Sequence, residues 1–253
     1  MSSQFPNIFS FQTLKHRRIA TLKTPSSHIN CLAVHANLLY ASSANEISVY
    51  SLSDHSFVDS FNHDPTTGFV KSIAFNQTKI FTAHQDGKIR IWKIDTLYKN
   101  HQHISTLPTV KDKFLNFMLP KNYVNVRRHK KKLWIQHWDT VSGLMNEVGY
   151  VESLWDHKGA ILCLINVGEW FVSGSSDRTV RVWQRGGKEG GGFHCSIVLE
   201  GHEKPVKSLV AVETRVLEGV FSICSGSLDG EIRVWEISIC SNFKIPMNSI
   251  KLA

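Results

Sequence analysis

The chain has 253 residues, 42% of them hydrophobic and 20% charged, and its 14 Phe and 7 Trp against only 7 Pro are the balance of a globular protein and not of a disordered one. Its longest apolar runs are short, as over 160–165, so no segment is expected to span a bilayer; five scattered cysteines (Cys31, Cys163, Cys195, Cys224, Cys240) show neither zinc-ligand nor redox spacing, which fits free thiols in a reducing compartment. The net charge of +8, from 29 basic and 21 acidic residues, admits nucleic acid or another anionic partner, or simply a basic surface.

Residues 1–15 read as a flexible segment without the apolar core of a secretory signal. The absence of acidic residues before Glu46, with Lys15, Arg17 and Arg18 present, is compatible with a transit peptide. A structural use competes with that reading. Residues 17–22 (RRIATL) resemble the last strand of a β unit that has no strands of its own before it, and their expected place is beside residues 231–237, which end the last unit one strand short. Organelle targeting is therefore not expected.

Further along the chain one phrase recurs. DGKIRIW (86–92), DRTVRVW (177–183) and DGEIRVW (229–235) each follow an apolar stretch with a small hydroxyl residue, and Asp-Gly or Asp-Arg-Thr supplies a tight turn between alternating strands. A degenerate copy, LLYASSANEISVY (38–50), has Tyr50 in the Trp position and Ala44 in the Asp position. A second phrase lies upstream of the hairpins: Ile29-Asn-Cys31-Leu32, Val70-Lys-Ser72-Ile73, Val141-Ser-Gly143-Leu144, Ile161-Leu-Cys163-Leu164 and Val206-Lys-Ser208-Leu209. Its small third residue suits a strand in a crowded centre, so Cys31 and Cys163 are expected to be packing residues.

Between these repeats, residues 107–144 are idiosyncratic. They carry the strongest charge cluster, Arg127, Arg128, Lys130, Lys131 and Lys132, which reads first as a solvated hairpin turn, a reading compatible with nuclear localisation or a nucleic-acid patch. His101-x-His103 is the closest His pair and has no Cys or carboxylate at ligand spacing, so no metal and no cofactor are expected. Residues 140–145 look like the first strand of a unit, whereas 150–154 already look like the last strand of a later one, as if about two repeats were missing at a junction near 144–150. GGKEGGG (186–192) lacks the Lys-Ser/Thr of a phosphate loop and reads as a flexible connection.

From Tyr50 to Trp92 is 42 residues and from Trp183 to Trp235 is 52, which brackets the period of a WD repeat, four strands to a blade. The expected fold is an all-β WD-repeat β-propeller over 16–238, with about five recognisable blades plus a remnant and a tail at 239–253. His157, Ser173, Asp177 and Trp183, and again His202, Ser225, Asp229 and Trp235, match the family's hydrogen-bonded tetrad. The copy with Thr82, Asp86 and Trp92 has its nearest upstream His, His63, out of register. Ser, His and Asp together invite a hydrolase reading, but a constellation that repeats with a Trp at constant offset, with no Gly-x-Ser-x-Gly elbow, is expected to be structural.

Most of residues 16–238, idiosyncratic stretch included, closely resembles plant WD-repeat proteins of the JINGUBANG type. That resemblance implies a non-enzymatic propeller acting in signalling or transcriptional regulation through partner proteins. Partner contacts are expected on a rim formed by Gln85, Ser176 and Leu228, which precede the turn acids, and by Lys158, Glu203 and Lys204, which follow the tetrad His residues, with an exposed Leu228 as apolar anchor. The alternative is a nuclear, nucleic-acid-associated regulator using the 127–132 cluster. The chain is expected to be monomeric, away from membranes, and cytoplasmic or nuclear.

Overall fold

A computed structural model describes residues 13–95, 100–108, 135–141, 147–168, 170–185, 192–212 and 220–240. These residues form eighteen strands and one short 3-10 turn at Pro65–Thr67. Alternating apolar residues bounded by hairpin connections of two to seven residues explain the strands: each hairpin buries its even or odd face against the next.

Four antiparallel sheets of four strands result, each ordered from an inner to an outer strand. Blade I comprises β2 (Ile29–His35), β3 (Leu38–Ser43), β4 (Glu46–Ser51) and β5 (Phe57–Phe61). Blade II comprises β6 (Val70–Asn76), β7 (Lys79–His84), β8 (Ile89–Asp95) and β9 (Asn100–Leu107). The next two strands, β10 (Ile135–Val141) and β11 (Glu147–Leu154), pair only with each other. Blade III follows, with β12 (Ile161–Val167), β13 (Trp170–Ser175), β14 (Val180–Arg185) and β15 (Phe193–Leu199). Blade IV takes β16 (Val206–Val212), β17 (Val220–Ser227) and β18 (Glu231–Cys240), and its outer strand is β1 (Thr13–Lys23), from the other end of the chain.

β1 lies antiparallel to β18 in the expected place, Arg17 opposite Glu236 and Leu22 opposite Ile232, with a bulge at Ile19. The pairing runs further than the sequence indicates, from Thr13 opposite Cys240 to Lys23 opposite Glu231, so Thr13–Lys15 belong to a strand and not to a flexible arm, and Ile239 and Cys240 do not belong to the tail. A strand borrowed from the amino terminus gives β18 a full partner and covers the edge it would otherwise expose.

Of the first strand expected at 140–145, Thr140 and Val141 end β10, opposite Val148 and Glu147, in a two-stranded sheet and not in a four-stranded blade; residues 142–146 lie outside the described residues. A two-stranded sheet of this kind has too little face to bury a core of its own.

The core is a set of seams between blades. Val172, Val180, Val182, Ile197 and Leu199 of blade III meet Leu209, Phe221, Ile223, Trp235 and Ile237 of blade IV. Cys224, Ile232 and Val234 of blade IV meet Leu32, Leu39, Ala41 and Tyr50 of blade I, and Tyr40, Ile47, Val49 and Phe61 of blade I meet Val70, Ile80 and Trp92 of blade II. The blades therefore follow one another in space in the order III, IV, I, II. Each blade has a forward face, built from the branched residues of its third strand, and a back face that carries the Trp-position ring.

Small residues of the two innermost strands stitch these seams. Cys163 Sγ donates to the Val206 carbonyl (3.8 Å), Leu32 N–H donates to Ser208 Oγ (2.9 Å), and Ser42 Oγ donates to the Val70 carbonyl (3.4 Å). Burial pushes the Cys31 and Cys163 thiols up to about 11 and about 12, so neither is a ready nucleophile.

Candidate functional site

Two complete polar networks stand at matching places in blades III and IV. In blade III the connection into β12 carries His157, β13 carries Ser173, the β13–β14 turn carries Asp177 and β14 carries Trp183. His157 Nδ1 lies 2.8 Å from Asp177 Oδ2, its Nε2 lies 2.8 Å from Ser173 Oγ, and the Trp183 indole N–H donates to the same Oγ at 2.8 Å. In blade IV, His202 Nδ1 meets Asp229 at 2.9 Å, its Nε2 meets Ser225 at 2.9 Å, and Trp235 donates to Ser225 at 2.8 Å.

A carboxylate can only accept, so each ring carries its proton on Nδ1 and accepts at Nε2 from the serine hydroxyl, whose oxygen takes the indole N–H. The proton direction is thus fixed from Trp to Ser to His to Asp. Burial pulls both imidazoles below their usual range, against the pull of the aspartates. Burial alone would raise Asp177, but its bonds from Thr179 and His157 outweigh it and hold the carboxyl at about 2. The donor–acceptor order is also that of a catalytic triad. Here, however, Ser173 and Ser225 are wholly buried and their oxygens already hold an indole N–H, so no acyl group has a path to them.

Blade II holds a divided version. Trp92 donates to Thr82 Oγ1 (2.9 Å), and the imidazole against Thr82 is that of His84, two residues along the same strand, at 2.8 Å. Asp86 pairs instead with Arg90 (2.7 Å), whose guanidinium brings the carboxyl to about 2. His63 is exposed and stands 3.8 Å from Glu46, so it takes no part. The alternation of FTAHQD held the signal: His84 shares the strand face of Thr82, two positions away.

Blade I has no such network. Its Trp-position residue, Tyr50, donates to the Lys23 carbonyl (3.0 Å). Ser48 and Ala41 face each other where Arg and Ser stand in blades III and IV, and the Ala44-Asn45 turn is one residue shorter, which removes the Asp position altogether. Ala44 takes the left-handed conformation such a tight turn demands (φ 55°).

A polar chain that sequence reasoning missed ties blade I to blade II instead. His101 of β9 sets Nδ1 2.7 Å from Asp59 of β5 and Nε2 3.3 Å from the Tyr40 hydroxyl, and stacks on Phe61 at 4.4 Å. The expectation that His101 lacks a carboxylate partner is corrected, because Asp59 comes from a different blade, 42 positions away. Burial, aided by Asp59, pushes the Tyr40 hydroxyl up to about 12.

The rim residues share one backbone arrangement. The N–H groups of Gln85, Ser176 and Leu228 donate to the carbonyls of Phe69, Ala160 and Pro205, the residues just before the inner strands. Lys158 and Glu203 donate their N–H groups to the turn acids Asp177 and Asp229. All six positions therefore lie on the turn side of the blades. Gln85, Lys158, Glu203 and Lys204 are exposed and Ser176 is half-buried. Leu228 is half-buried too, so it is not the protruding anchor expected. The basic residues at 127–132 and the glycines at 186–191 lie outside the described residues. Among the described residues no group of His, Cys, Asp and Glu could hold a metal ion, and no helix is long and apolar enough to cross a membrane.

Residues 47–93, 150–184 and 193–236 match the family described as WD domain, G-beta repeat. Two matched segments run from one blade into the next, 47–93 from β4 to β8 and 193–236 from β15 to β18, whereas 150–184 starts in β11 of the two-stranded sheet and ends in β14 of blade III. WD repeat and FYVE domain-containing protein 1 of Mus musculus is 33% identical over 97 residues, 37% of this chain and 21% of that protein. Pre-mRNA-processing factor 17 of Saccharomyces cerevisiae is 24% identical over 120 residues, 47% of this chain and 24% of that protein. The chain thus spans a quarter or less of the curated relatives it matches. The crystal structure of Chaetomium thermophilum Raptor superposes with a TM-score of 0.57 at 11% identity, over 91% of this chain and 30% of that one, a likeness of fold alone. With the repeated phrase, the tetrads, the four-stranded blades and the family match in agreement, this chain is a WD-repeat protein of the β-propeller class.

Proposed function

We propose that this chain is a non-enzymatic interaction scaffold that presents the turn side of its blades to partner proteins, as a regulator of the JINGUBANG type in signalling or transcription, in the cytoplasm or nucleus. The observation that carries the reading is the repeated backbone tie at the rim. Three turns are each fastened to the start of an inner strand, so Gln85, Lys158, Glu203 and Lys204 project from fixed backbone. A rigid frame that offers variable polar side chains loses little entropy on binding, which favours recognition of another protein surface. The tetrads act as frame, because their serines are sealed and their protons committed.

Affinity capture with the full chain, against the Lys158→Glu, Lys204→Glu double variant at unchanged thermal stability, tests this. The same partner proteins should drop at least tenfold in yield. Capture of an identical set in identical yield would remove the rim from the account.

A further inference from the structure

Thr24 stands where β1 leaves blade IV and the chain enters blade I. Its N–H donates to the Gly230 carbonyl (3.1 Å), and Tyr50 of blade I donates to the carbonyl of Lys23, the residue before it (3.0 Å). The Thr24 hydroxyl oxygen lies 2.8 Å from the Ser26 carbonyl, 3.1 Å from the Gly230 carbonyl and 3.2 Å from Ser43 Oγ. Ser43 gives its own proton to the same Ser26 carbonyl at 3.0 Å. A hydroxyl has one hydrogen, so a single proton holds two carbonyls and a second hydroxyl oxygen around Thr24. The packing there has no slack. A Cβ on Gly230, which takes a left-handed φ of 84°, would stand 3.0 Å from the Ser26 carbonyl oxygen and 3.1 Å from Ser27 Cα.

Of the seven prolines, only Pro25 follows a Ser or Thr. Pro25 and Ser27 are exposed, Thr24 is half-buried, and a cleft of about 240 Å³ opens beside them, lined also by Asp229 and Glu231. We infer that Thr24 is a modification site for a proline-directed protein kinase, and that its phosphorylation releases β1 from blade IV. The γ-phosphoryl group of a nucleoside triphosphate passes to Oγ1: a phosphorus–oxygen bond forms there, the bond to the bridging oxygen breaks, the diphosphate leaves, and the hydroxyl proton goes to the kinase's carboxylate base. The ester oxygen then has no hydrogen to donate. The carbonyls it held face instead a group of about −2 charge whose outer oxygens are acceptors. Lys23 and Arg233 are already paired with Glu231, at 3.9 and 2.9 Å, and Asp229 and Glu231 put like charge into the cleft. Repulsion therefore outweighs new pairing, and β1 loses its anchor at the Lys23 end. The device opens the edge of β18 and makes no use of the rim.

The purified full chain, incubated with ATP, magnesium and a proline-directed protein kinase of proven activity on Ser/Thr-Pro peptides, provides the test. Fragment mass spectrometry should place a phosphoryl group on Thr24. Limited trypsin digestion then reads the strand, since β1 carries Arg17 and Arg18 and cutting follows the population of the opened form. Cleavage after these two residues should be about tenfold faster in the phosphorylated chain than in the unmodified one, and phosphatase treatment should restore the slow rate. Cleavage after Arg90 and Arg181, in blades II and III, should not change. Kinase treatment of Thr24→Val should leave its cleavage rate where it was, which separates this site from any other the kinase finds. A full chain that takes no phosphoryl group on Thr24, a phosphorylated chain whose β1 is cut no faster, or a Thr24→Val chain that responds as the parent does would overturn the inference.

Discussion

Replacing Ser225 by alanine removes one oxygen and strands two buried groups. Ser225 Oγ accepts the Trp235 indole N–H at 2.8 Å and donates to His202 Nε2 at 2.9 Å; all three residues are buried. The alanine methyl can do neither, and water has no access to take its place. Each buried polar atom left without a partner costs about 1–3 kcal/mol, so the loss for two should be about 2–6 kcal/mol. That is a large part of the ~5–15 kcal/mol by which domains of this kind are stable. The far end of the network does not rescue it, because Asp229 holds the ring by Nδ1 and keeps Nε2 aimed at the vacated site. Equilibrium urea unfolding followed by tryptophan fluorescence measures the change, with Ser53→Ala at an exposed loop position as a control expected within about 0.5 kcal/mol. A loss for Ser225→Ala no larger than the control would refute the view that these serines bind the blade together.

The same frame yields other expectations. Deleting residues 1–24 removes the partner of β18 from Glu231 to Cys240 and the carbonyl that Tyr50 uses, so the melting temperature should fall by about 10 °C or more; an unchanged melt would mean β1 closes nothing. Acid should weaken the fold in two stages. Burial, with Arg90 nearby, holds His84 at about 4 against an unfolded value of 6.5, so the unfolded chain binds more protons below pH 6.5, and up to about 3 kcal/mol of stability is lost as pH falls from 6.5 to 4. His157 and His202 act in the same direction, and protonation of Asp86 and Asp177, both held at about 2, continues the loss below pH 4; urea midpoints that stay level from pH 7 to 5 would contradict this. Gly174→Ala would set a methyl 2.6 Å from Cys163 Sγ and 2.8 Å from Val206 Cγ1, inside the III–IV seam, and should cost about 1–3 kcal/mol in the same denaturation assay. Any affinity of the 127–132 cluster for duplex DNA should drop steeply between 50 and 200 mM salt, and anisotropy unchanged over that range would exclude a phosphate-dominated contact.

What was legible in the chain itself is whatever local pattern determines. Alternation and Asp-centred turns mark the hairpins of blades II, III and IV, and His157 and His202 stand at constant offsets from their Ser, Asp and Trp partners because one backbone geometry is repeated. The missing final strand of blade IV could be matched to residues 17–22 for the same reason, an unfinished sheet edge needing a strand of the right polarity. Other features depend on which blade faces which, and no window of sequence contains that. His101 finds Asp59 and Tyr40 only after blades I and II pack, and the half-buried state of Leu228 is likewise set by its tertiary surroundings, whereas the His84–Thr82 contact was within reach of strand alternation. Ile89 and Leu164 look in sequence like their buried equivalents, yet the tertiary structure leaves them 42% and 48% exposed, since burial is a property of the neighbour and not of the residue.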